Sequence, residues 1–226
     1  DLSTARRLAG GCGTQTSALC SGGIASPGAV NSTEEFDGSS WTAGGNYTAA
    51  AYGIGTGGTQ TAAFGAGYAP YSAVSAEYNG SSWTAGENVN TGRHYGAACG
   101  TQTAGLFFTG NRAPAGSESS HTEEYDGTDW AVGGTYPEEK RGGSASGTQT
   151  AALGFGGDLD PGDLTTTAIY DGSSWTVGSS TATARSFGSG TPSGTNETAL
   201  LAGGDADTDA TEEYGGTVTL KTVTDS

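Results

Sequence analysis

Basic side chains are scarce in this chain and fall at regular places. There are eight lysine and arginine residues against 24 acidic ones. Guanidinium groups bind carboxylates and phosphates through paired hydrogen bonds, so a cluster of them could hold an anion or an acidic sugar. Six of the eight open the first predicted strand of a repeat and would form a basic collar at one mouth of a central channel; they are Arg6, Arg7, Arg93, Lys140, Arg141 and Arg185.

The alternative for these basic residues is a structural role. Glutamates precede the aromatic residue of the third predicted strand in most repeats, and an arginine can form an ion pair with such a carboxylate inside the fold. The glutamates are Glu34, Glu35, Glu77, Glu123, Glu124, Glu212 and Glu213. Both interpretations stay open, and ion pairing is favoured.

Aromatic and polar side chains in the variable segments between the second and third predicted strands are further candidates for binding. Tyr68 and Tyr71 could stack on a sugar, and Arg112 and His121 lie in the next such segment. Unlike loops on a rigid scaffold are typical of a binding face, and solvated connections are the alternative. The segments are 24–32, 68–75, 111–121, 158–166 and 205–210.

One acidic segment has the spacing of a metal-binding loop. Asp205, Asp207 and Asp209 alternate with other residues, as at the start of a calcium loop, because Ca²⁺ prefers several oxygen ligands. The glycine and distal glutamate of an EF-hand are missing, so exposed acidic turns are the simpler interpretation. We expect no other cofactor.

Residues for catalysis are poorly represented. His94 and His121 do not have the spacing of metal ligands, and no serine nucleophile elbow occurs. The carboxylates fall in predicted third strands and outer loops, whereas a glycosidase would aim a pair of them at the substrate. The sequence therefore predicts a non-catalytic protein, with a glycosidase or an oxidase as a minor alternative.

A repeated tetrapeptide shows how these side chains are organised. Gly-Thr-Gln-Thr occurs four times, and residues 194–198 form a fifth, degenerate copy. The residues that mark the register are 45, 42, 47 and 48 positions apart; they are Gln15, Gln60, Gln102, Gln149 and Glu197. A period near 45 residues indicates a repeat architecture.

Each repeat contains four short predicted strands. In the first repeat, segment 4–12 is rich in small residues that suit a crowded axis, and segments 17–20, 33–36 and 39–42 follow. The dipeptide Asp37-Gly38 predicts a tight turn before the fourth strand. A tryptophan follows this turn in four repeats, where we expect it to be buried between neighbouring repeats, and Thr219 replaces it in the fifth. The tryptophans are Trp41, Trp83, Trp130 and Trp175.

Five repeats of four strands predict an all-β fold, a five-bladed β-propeller of four-stranded antiparallel blades. We expect a single domain spanning 1–226, with blades at about 3–45, 46–87, 88–134, 135–179 and 180–226. Because each blade is one continuous segment, closure would rest on packing of the first blade against the fifth. An open arc that another chain completes is the alternative.

The repeats resemble the Kelch repeat over residues 3–220. The resemblance rests on the Gly-Gly after the second strand, the aromatic-Asp-Gly turn, the tryptophan after it and the arginine that opens the first strand. Kelch propellers usually have six or seven blades, whereas this chain offers five. The motifs Thr-Ala-Arg, Gly-Thr-Gln-Thr-Ala and Glu-Tyr-Asp-Gly-Ser-Ser-Trp-Thr also resemble Kelch-type repeats in structural and tail proteins of marine bacteriophages.

The resemblance implies a virion component, in a tail, fibre or decoration module, that recognises a host surface or packs with other virion proteins. A secreted bacterial glycan-binding propeller is the alternative, so we expect a virion or extracellular location. A homo-oligomer is compatible with either.

The composition excludes some partners. A net charge of −16 repels nucleic acid, and no apolar run is long enough to insert into a membrane. We expect Cys12, Cys20 and Cys99 to act mainly as small buried residues, with a Cys12–Cys20 disulfide as an alternative.

Overall fold

The computed structural model describes residues 1–114, 117–191, 194–205, 211–215 and 221–223, the last of these by its backbone alone. The described residues contain 26 β-strands and no helix, which confirms the all-β prediction. No helix that could span a membrane occurs among them.

The strands are short and follow one another closely in the sequence. Those of the first two repeats are β1 (Gly10–Thr14), β2 (Ser17–Ser21), β3 (Ile24–Ala25), β4 (Gly28–Ala29), β5 (Thr33–Phe36), β6 (Trp41–Ala43), β7 (Gly55–Thr59), β8 (Ala62–Tyr68), β9 (Ser72–Tyr78) and β10 (Trp83–Ala85). Those of the third are β11 (Arg93–His94), β12 (Ala97–Thr101), β13 (Ala104–Phe108), β14 (Asn111–Arg112), β15 (Ser117–Glu118), β16 (Thr122–Tyr125) and β17 (Trp130–Val132). The remainder are β18 (Ser144–Thr148), β19 (Ala151–Phe155), β20 (Asp158–Leu159), β21 (Gly162–Asp163), β22 (Thr167–Tyr170), β23 (Trp175–Val177), β24 (Thr198–Ala202), β25 (Thr211–Gly215) and β26 (Lys221–Val223).

Each of the first four repeats forms one four-stranded antiparallel sheet. These sheets have the orders β1-β2-β5-β6, β7-β8-β9-β10, β12-β13-β16-β17 and β18-β19-β22-β23, and we number them first to fourth. The fifth repeat forms a three-stranded sheet, β24-β25-β26, and Ser189 pairs with Ala202 at the position of a further strand. The variable segments add the small hairpins β3-β4 and β20-β21 and the three-stranded sheet β11-β14-β15.

The turn between the third and fourth strands of a sheet is fixed by its own side chain. The Asp37 carboxylate accepts the backbone N–H groups of Ser39 and Ser40, both at 2.8 Å. A hydrogen bond from the Ser39 hydroxyl, together with these two backbone bonds, lowers the pKa of Asp37 to about 2. Gly38 adopts a φ of 94°, which favours glycine, so the predicted Asp-Gly turn is confirmed.

The repeated glutamine joins each sheet to the one before it. In three repeats its side-chain amide crosses to the preceding sheet and donates to one carbonyl of the second strand and one of the third. Gln60 bonds Ala18 and Phe36 at 3.1 and 2.6 Å, Gln102 bonds Ala63 and Tyr78 at 3.1 and 2.9 Å, and Gln149 bonds Gly105 and Tyr125 at 3.0 and 2.8 Å. The repeated motif therefore fastens neighbouring sheets.

Three tryptophans pack between neighbouring sheets, as predicted. Trp83 of the second sheet is buried, and its Nε1–H donates to Thr33 Oγ1 of the first sheet at 3.0 Å. Trp175 of the fourth sheet makes the same bond to Thr122 of the third at 2.9 Å. Trp130 packs against the second sheet in the same region. An indole in this place fills the space between two sheets and fixes their separation.

Tyrosine hydroxyls add a third kind of bond at the same three seams. Each comes from the aromatic residue that ends the third strand and donates to a glutamate of the preceding sheet. The pairs are Tyr78 with Glu35, Tyr125 with Glu77 and Tyr170 with Glu124. Burial and the neighbouring carboxylate raise the pKa of Tyr78 and of Tyr170 to about 12, so these hydroxyls stay donors.

The fourth and fifth sheets are joined differently. An apolar cluster of Leu153, Phe155, Ala199 and Leu201 lies between them. Ser144 Oγ also donates to the Gly188 carbonyl at 2.7 Å. The seam therefore has apolar packing and serine bonds in place of a glutamine bridge.

The side of the first sheet that faces away from the second sheet makes none of these three kinds of bond to another sheet within the described residues. Gln15, the counterpart of the bridging glutamines, is exposed. Phe36 occupies the tyrosine position and has no hydroxyl to donate. Trp41 is only half-buried and packs on Phe36, with ring centroids 5.2 Å apart. This side would face the fifth sheet, and it has fewer inter-sheet contacts than the other described seams.

One variable segment differs from its prediction. We expected a loop over 68–75, but β8 runs to Tyr68 and β9 begins at Ser72, so only a short turn remains. Tyr68 pairs directly with Ser72 across this turn. The small and β-branched residues after the turn suit a strand and extend the hairpin.

All three cysteines are free thiols, so the alternative of a Cys12–Cys20 disulfide does not hold. Cys12 and Cys99 are buried, as expected for small core residues. Burial raises the pKa of each of these two thiols to about 12, which leaves them protonated and unreactive at neutral pH.

Candidate binding face around the axial cavity

Segments from all five repeats line one axial cavity of about 410 Å³. Its walls are mostly glycine, alanine, serine and threonine from the innermost strand of each repeat, at 9–14, 54–56, 96–98, 143–145 and 188–190. Small side chains are needed there because several backbones converge. The residues that line this cavity carry no charge, so any ionic chemistry must lie at its ends.

The predicted collar and the predicted loops lie on the same side of the molecule. The backbone of Arg7 pairs with Ile24, Arg93 pairs with Arg112, and Arg141 pairs with Asp158. Each of these contacts joins the start of an innermost strand to the variable segment of its own repeat. We call this side the loop face.

Three arginines of the predicted collar form buried ion pairs. Their partners lie two residues before the aromatic residue of the third strand, as the structural alternative expected. The pairs are Arg6 with Glu34, Arg93 with Glu123 and Arg185 with Glu212. All six side chains are almost fully buried, so these arginines are structural and cannot contribute to an exposed collar.

The environment of Arg93 shows how such a charge is accommodated. Its guanidinium group lies 4.1 Å from the centre of the Phe107 ring and donates to the Phe107 carbonyl at 3.0 Å. Desolvation lowers the pKa of Arg93, and the adjacent Glu123 carboxylate opposes that shift. In the second repeat, Ala51 and Ala76 occupy the two positions, so both charges are absent together.

Lys140 is also buried and does not belong to an exposed collar. Ala168 occupies the position of the paired glutamate, and the Lys140 amine donates to the Tyr136 hydroxyl at 2.8 Å and the Gly156 carbonyl at 2.6 Å. Glu138 lies 3.7 Å away. Desolvation lowers the pKa of Lys140 to about 8, since these partners only partly replace water.

Arg7 and Arg141 are the members of the predicted collar that reach the surface. Arg7 is exposed, and the Arg141 side chain is 28% exposed and bonds Asp158 at 2.7 Å. Burial raises the pKa of Tyr95, and the charges of Arg7 and Arg141 oppose that rise while Asp205 adds to it. The exposed collar is thus reduced to two arginines.

Five corresponding residues, one from each repeat, lie at the end of the axial cavity on the loop face. They all have left-handed backbones, with φ of 56°, 67°, 58°, 61° and 53°, and we call them the mouth ring: Leu8, Gly53, Tyr95, Gly142 and Phe187. Backbone N–H groups of the last four each donate to the carbonyl of the member before, at 2.7 to 2.9 Å. This chain of bonds ties the five repeats together at the mouth.

Aromatic side chains form a continuous surface across the mouth ring. Tyr95 contacts the Phe187 ring at 5.0 Å, the Tyr52 ring at 6.2 Å and the His94 ring at 4.4 Å between centroids. Tyr71 extends this chain by its contact with His94 at 5.0 Å. Four of the rings are half-buried, and His94 is buried, where desolvation and the Arg141 charge lower its pKa.

A second cavity of about 290 Å³ lies at this mouth and is lined by Leu8, Tyr95 and Phe187 with adjacent small residues. Small-molecule sites are usually clefts of roughly 300 Å³ or more that combine aromatic side chains with polar groups, and this cavity, which has a mixed lining, lies at the lower limit of that range. The arrangement can therefore hold a small ligand against aromatic rings, with arginine at the rim.

The other predicted binding residues are dispersed. Tyr68 packs on Tyr47 between the first two sheets, 6.4 Å between ring centroids, and so is separate from the chain of rings. Arg112 is half-buried on β14. His121 is exposed and its Nδ1 lies 3.0 Å from Ser119 Oγ. Of the four residues predicted in the loops, the structure brings Tyr71 to the mouth.

The calcium prediction falls largely outside the described residues. Asp207 and Asp209 belong to the part of the chain that is not described. Asp205 is described, and its backbone N–H donates to the Ser186 carbonyl at 2.9 Å. A calcium site in this segment stays a prediction.

The mouth ring was not identified from the sequence, although a signal for it exists. Leu8, Gly53, Tyr95 and Gly142 each lie seven residues before the glutamine that marks the register of their repeat. Large residues alternate with glycine at this position, which is unusual in strands otherwise made of small residues. No protein-family model and no curated protein matches the chain.

Proposed function

We propose that the five sheets are the blades of a closed, five-bladed, Kelch-like propeller. Support comes from the two adjoining cavities that segments of all five repeats line, and from the backbone bonds that link the mouth ring. The glutamine, tryptophan and tyrosine contacts at three seams are the kind of packing that such a ring requires, since one blade cannot bury its own faces. Closure would pack the free side of the first sheet against the fifth sheet.

We propose further that this propeller is a non-catalytic recognition module, and that its loop face binds a glycan on a host surface. The observation that carries this proposal is the continuous aromatic surface at the mouth, with exposed arginine beside it. Rings of this kind supply a large contact area at low entropy cost, and charged groups at the rim give orientation. A fold alone would not identify a ligand, so the argument rests on these side chains.

The resemblance of the repeat motifs to those of phage structural and tail proteins favours a bacteriophage virion component, in a tail, fibre or decoration module. Its partners would then be a host-surface glycan and other virion proteins. A secreted bacterial lectin is the second candidate, because the same aromatic surface would serve it equally well. Mass spectrometry of purified phage particles separates the two, since only a virion component would be present in a fixed ratio to the other particle proteins.

The binding function is tested with the purified chain on an array of bacterial surface polysaccharides and oligosaccharides. We expect saturable binding to at least one of them and unchanged ligand after prolonged incubation. Absence of binding across the array would contradict the recognition function. Cleavage or oxidation of a bound saccharide would contradict its non-catalytic character.

A further inference from the structure

Three bulky residues of the mouth ring have a backbone conformation that such residues rarely adopt. The left-handed φ is shared by all five members, so the fold itself demands it. Glycine meets this demand without strain at positions 53 and 142, whereas Leu8, Tyr95 and Phe187 meet it at a cost. Strained bulky residues of this kind concentrate at ligand-binding sites. A direct role of these side chains at the mouth would account for them.

The two aromatic rings are held firmly by the glycines of the ring. A Cβ atom added at Gly53 would lie 2.6 Å from the Tyr95 ring, and one at Gly142 would lie 2.9 Å from the Phe187 ring. Each ring therefore rests directly on the backbone of the preceding repeat. Tyr95 and Phe187 also contact each other edge to face, at 87° between planes. The pair forms a preorganised apolar platform beside the cavity.

The charge at the rim favours a ligand with a single negative charge. Arg7 is exposed and forms no ion pair among the described residues, while Arg141 already bonds Asp158. The Asp205 charge raises the pKa of Tyr95, so this side of the mouth also carries negative charge. One uncommitted guanidinium group with carboxylates nearby suits a carboxylate better than a doubly charged phosphate.

We propose that the mouth binds a carboxylated saccharide, with Tyr95 and Phe187 against the apolar face of the sugar and Arg7 on its carboxylate. This inference rests on the proposed recognition function and names its ligand class. Leu8 also lines the cavity. Neutral sugars of the same shape would use the rings but not the arginine.

The test measures calorimetric binding of methyl galactopyranosiduronate, which carries one carboxylate, and of its methyl ester to the full chain. The two probes differ in charge and by one methyl group, so the change of their affinity ratio in Arg7→Gln reports the arginine contact. We expect the acid to bind about tenfold more tightly than the ester, the range of a charge-assisted hydrogen bond. In Arg7→Gln the two probes should bind equally. Equal binding of acid and ester to the unmodified chain would overturn the carboxylate assignment.

Glycine variants test the platform without disrupting the fold, because glycine already occupies two positions of the mouth ring. Tyr95→Gly and Phe187→Gly should each weaken binding of both probes by about tenfold or more, the loss typical of a central aromatic contact. Their thermal melting will fall by the loss of these half-buried ring contacts, partly offset by relief of the left-handed strain, so affinity is measured well below the melting transition. Tyr95→Phe should retain binding. Unchanged affinity in Tyr95→Gly would overturn the mouth as the site.

The failure of this inference is distinguishable from failure of the proposed function. If neither probe binds but a surface polysaccharide still does, the ligand class is wrong and recognition stands. If the chain binds nothing on the polysaccharide array, both are wrong.

Discussion

The bridging glutamines allow one substitution to be compared at matched places in the same chain. In Gln102→Ala, two hydrogen bonds to the preceding sheet are lost, at 3.1 Å to the Ala63 carbonyl and 2.9 Å to the Tyr78 carbonyl. Ala63 and Tyr78 are fully buried, so water cannot easily replace the amide. A buried acceptor left without a partner costs about 1–3 kcal/mol. Two of them predict a loss of about 2–6 kcal/mol.

Gln15→Ala is the matched control. Gln15 lies in the same Gly-Thr-Gln-Thr motif, but its side chain is exposed at the outer edge of the first sheet. A surface substitution of this kind changes the free energy of unfolding by no more than about 0.5 kcal/mol. The two variants remove the same atoms from the same local turn, so any difference between them reports the contact across the seam.

The assay is urea unfolding followed by tryptophan fluorescence. The midpoint should fall markedly for Gln102→Ala and stay in place for Gln15→Ala, with similar slopes in both. Equal midpoints near that of the unmodified chain would refute the bridging role of the glutamine. Equal and large losses would show that the first sheet is fastened as tightly as the internal ones.

The tryptophans and the buried lysine give two further predictions. Trp83→Ala should lower the free energy of unfolding by about 3–5 kcal/mol, whereas Trp41→Ala, which removes a half-buried ring, should cost less than half as much; urea midpoints check both. Folding lowers the pKa of Lys140 from 10.5 to about 8. Between these two pH values the unfolded chain binds more protons than the folded chain, so the free energy of unfolding should rise as the pH rises across this range. Lys140→Met should lack this rise, and a melting series from pH 7 to about 10 that is parallel for the two proteins would contradict it.

Features set within one repeat could be predicted from the sequence. The turn at Asp37-Gly38 depends on the Asp37 carboxylate, which accepts the N–H of Ser39 two residues later, and on the positive φ of Gly38. Both requirements involve neighbouring residues, so the sequence alone shows them. The ion pair of Arg93 with Glu123 was also anticipated, because both residues recur at fixed places in a repeat. Burial of Trp83 followed from the size and spacing of the indoles.

Features set between repeats were harder to predict. The aromatic surface of Tyr95 and Phe187 exists only because residues 92 positions apart meet at the axis. The repeat period alone does not show which end of each innermost strand lies at the mouth, so it does not show which side chains meet there. The predicted loop after Tyr68 is instead a strand, β9. A long loop and an extended hairpin differ only slightly in strand propensity here, so the sequence did not distinguish them.

The structural claim on which the account depends is that the first and fifth repeats are neighbours in one ring. Chemical cross-linking tests it, in a chain whose three native cysteines are replaced by alanine. Gln60→Cys with Ala18→Cys is the positive control, because the Gln60 amide lies 3.1 Å from the Ala18 carbonyl. Gln15→Cys with Ala199→Cys occupies the equivalent positions at the remaining seam.

With a short bis-maleimide and dilute protein, both double variants should cross-link within one molecule and at comparable yield, as seen by gel mobility and peptide mass. If the control cross-links within the molecule but Gln15→Cys with Ala199→Cys joins separate molecules or does not react, the chain is an open arc. That result would contradict the closed ring.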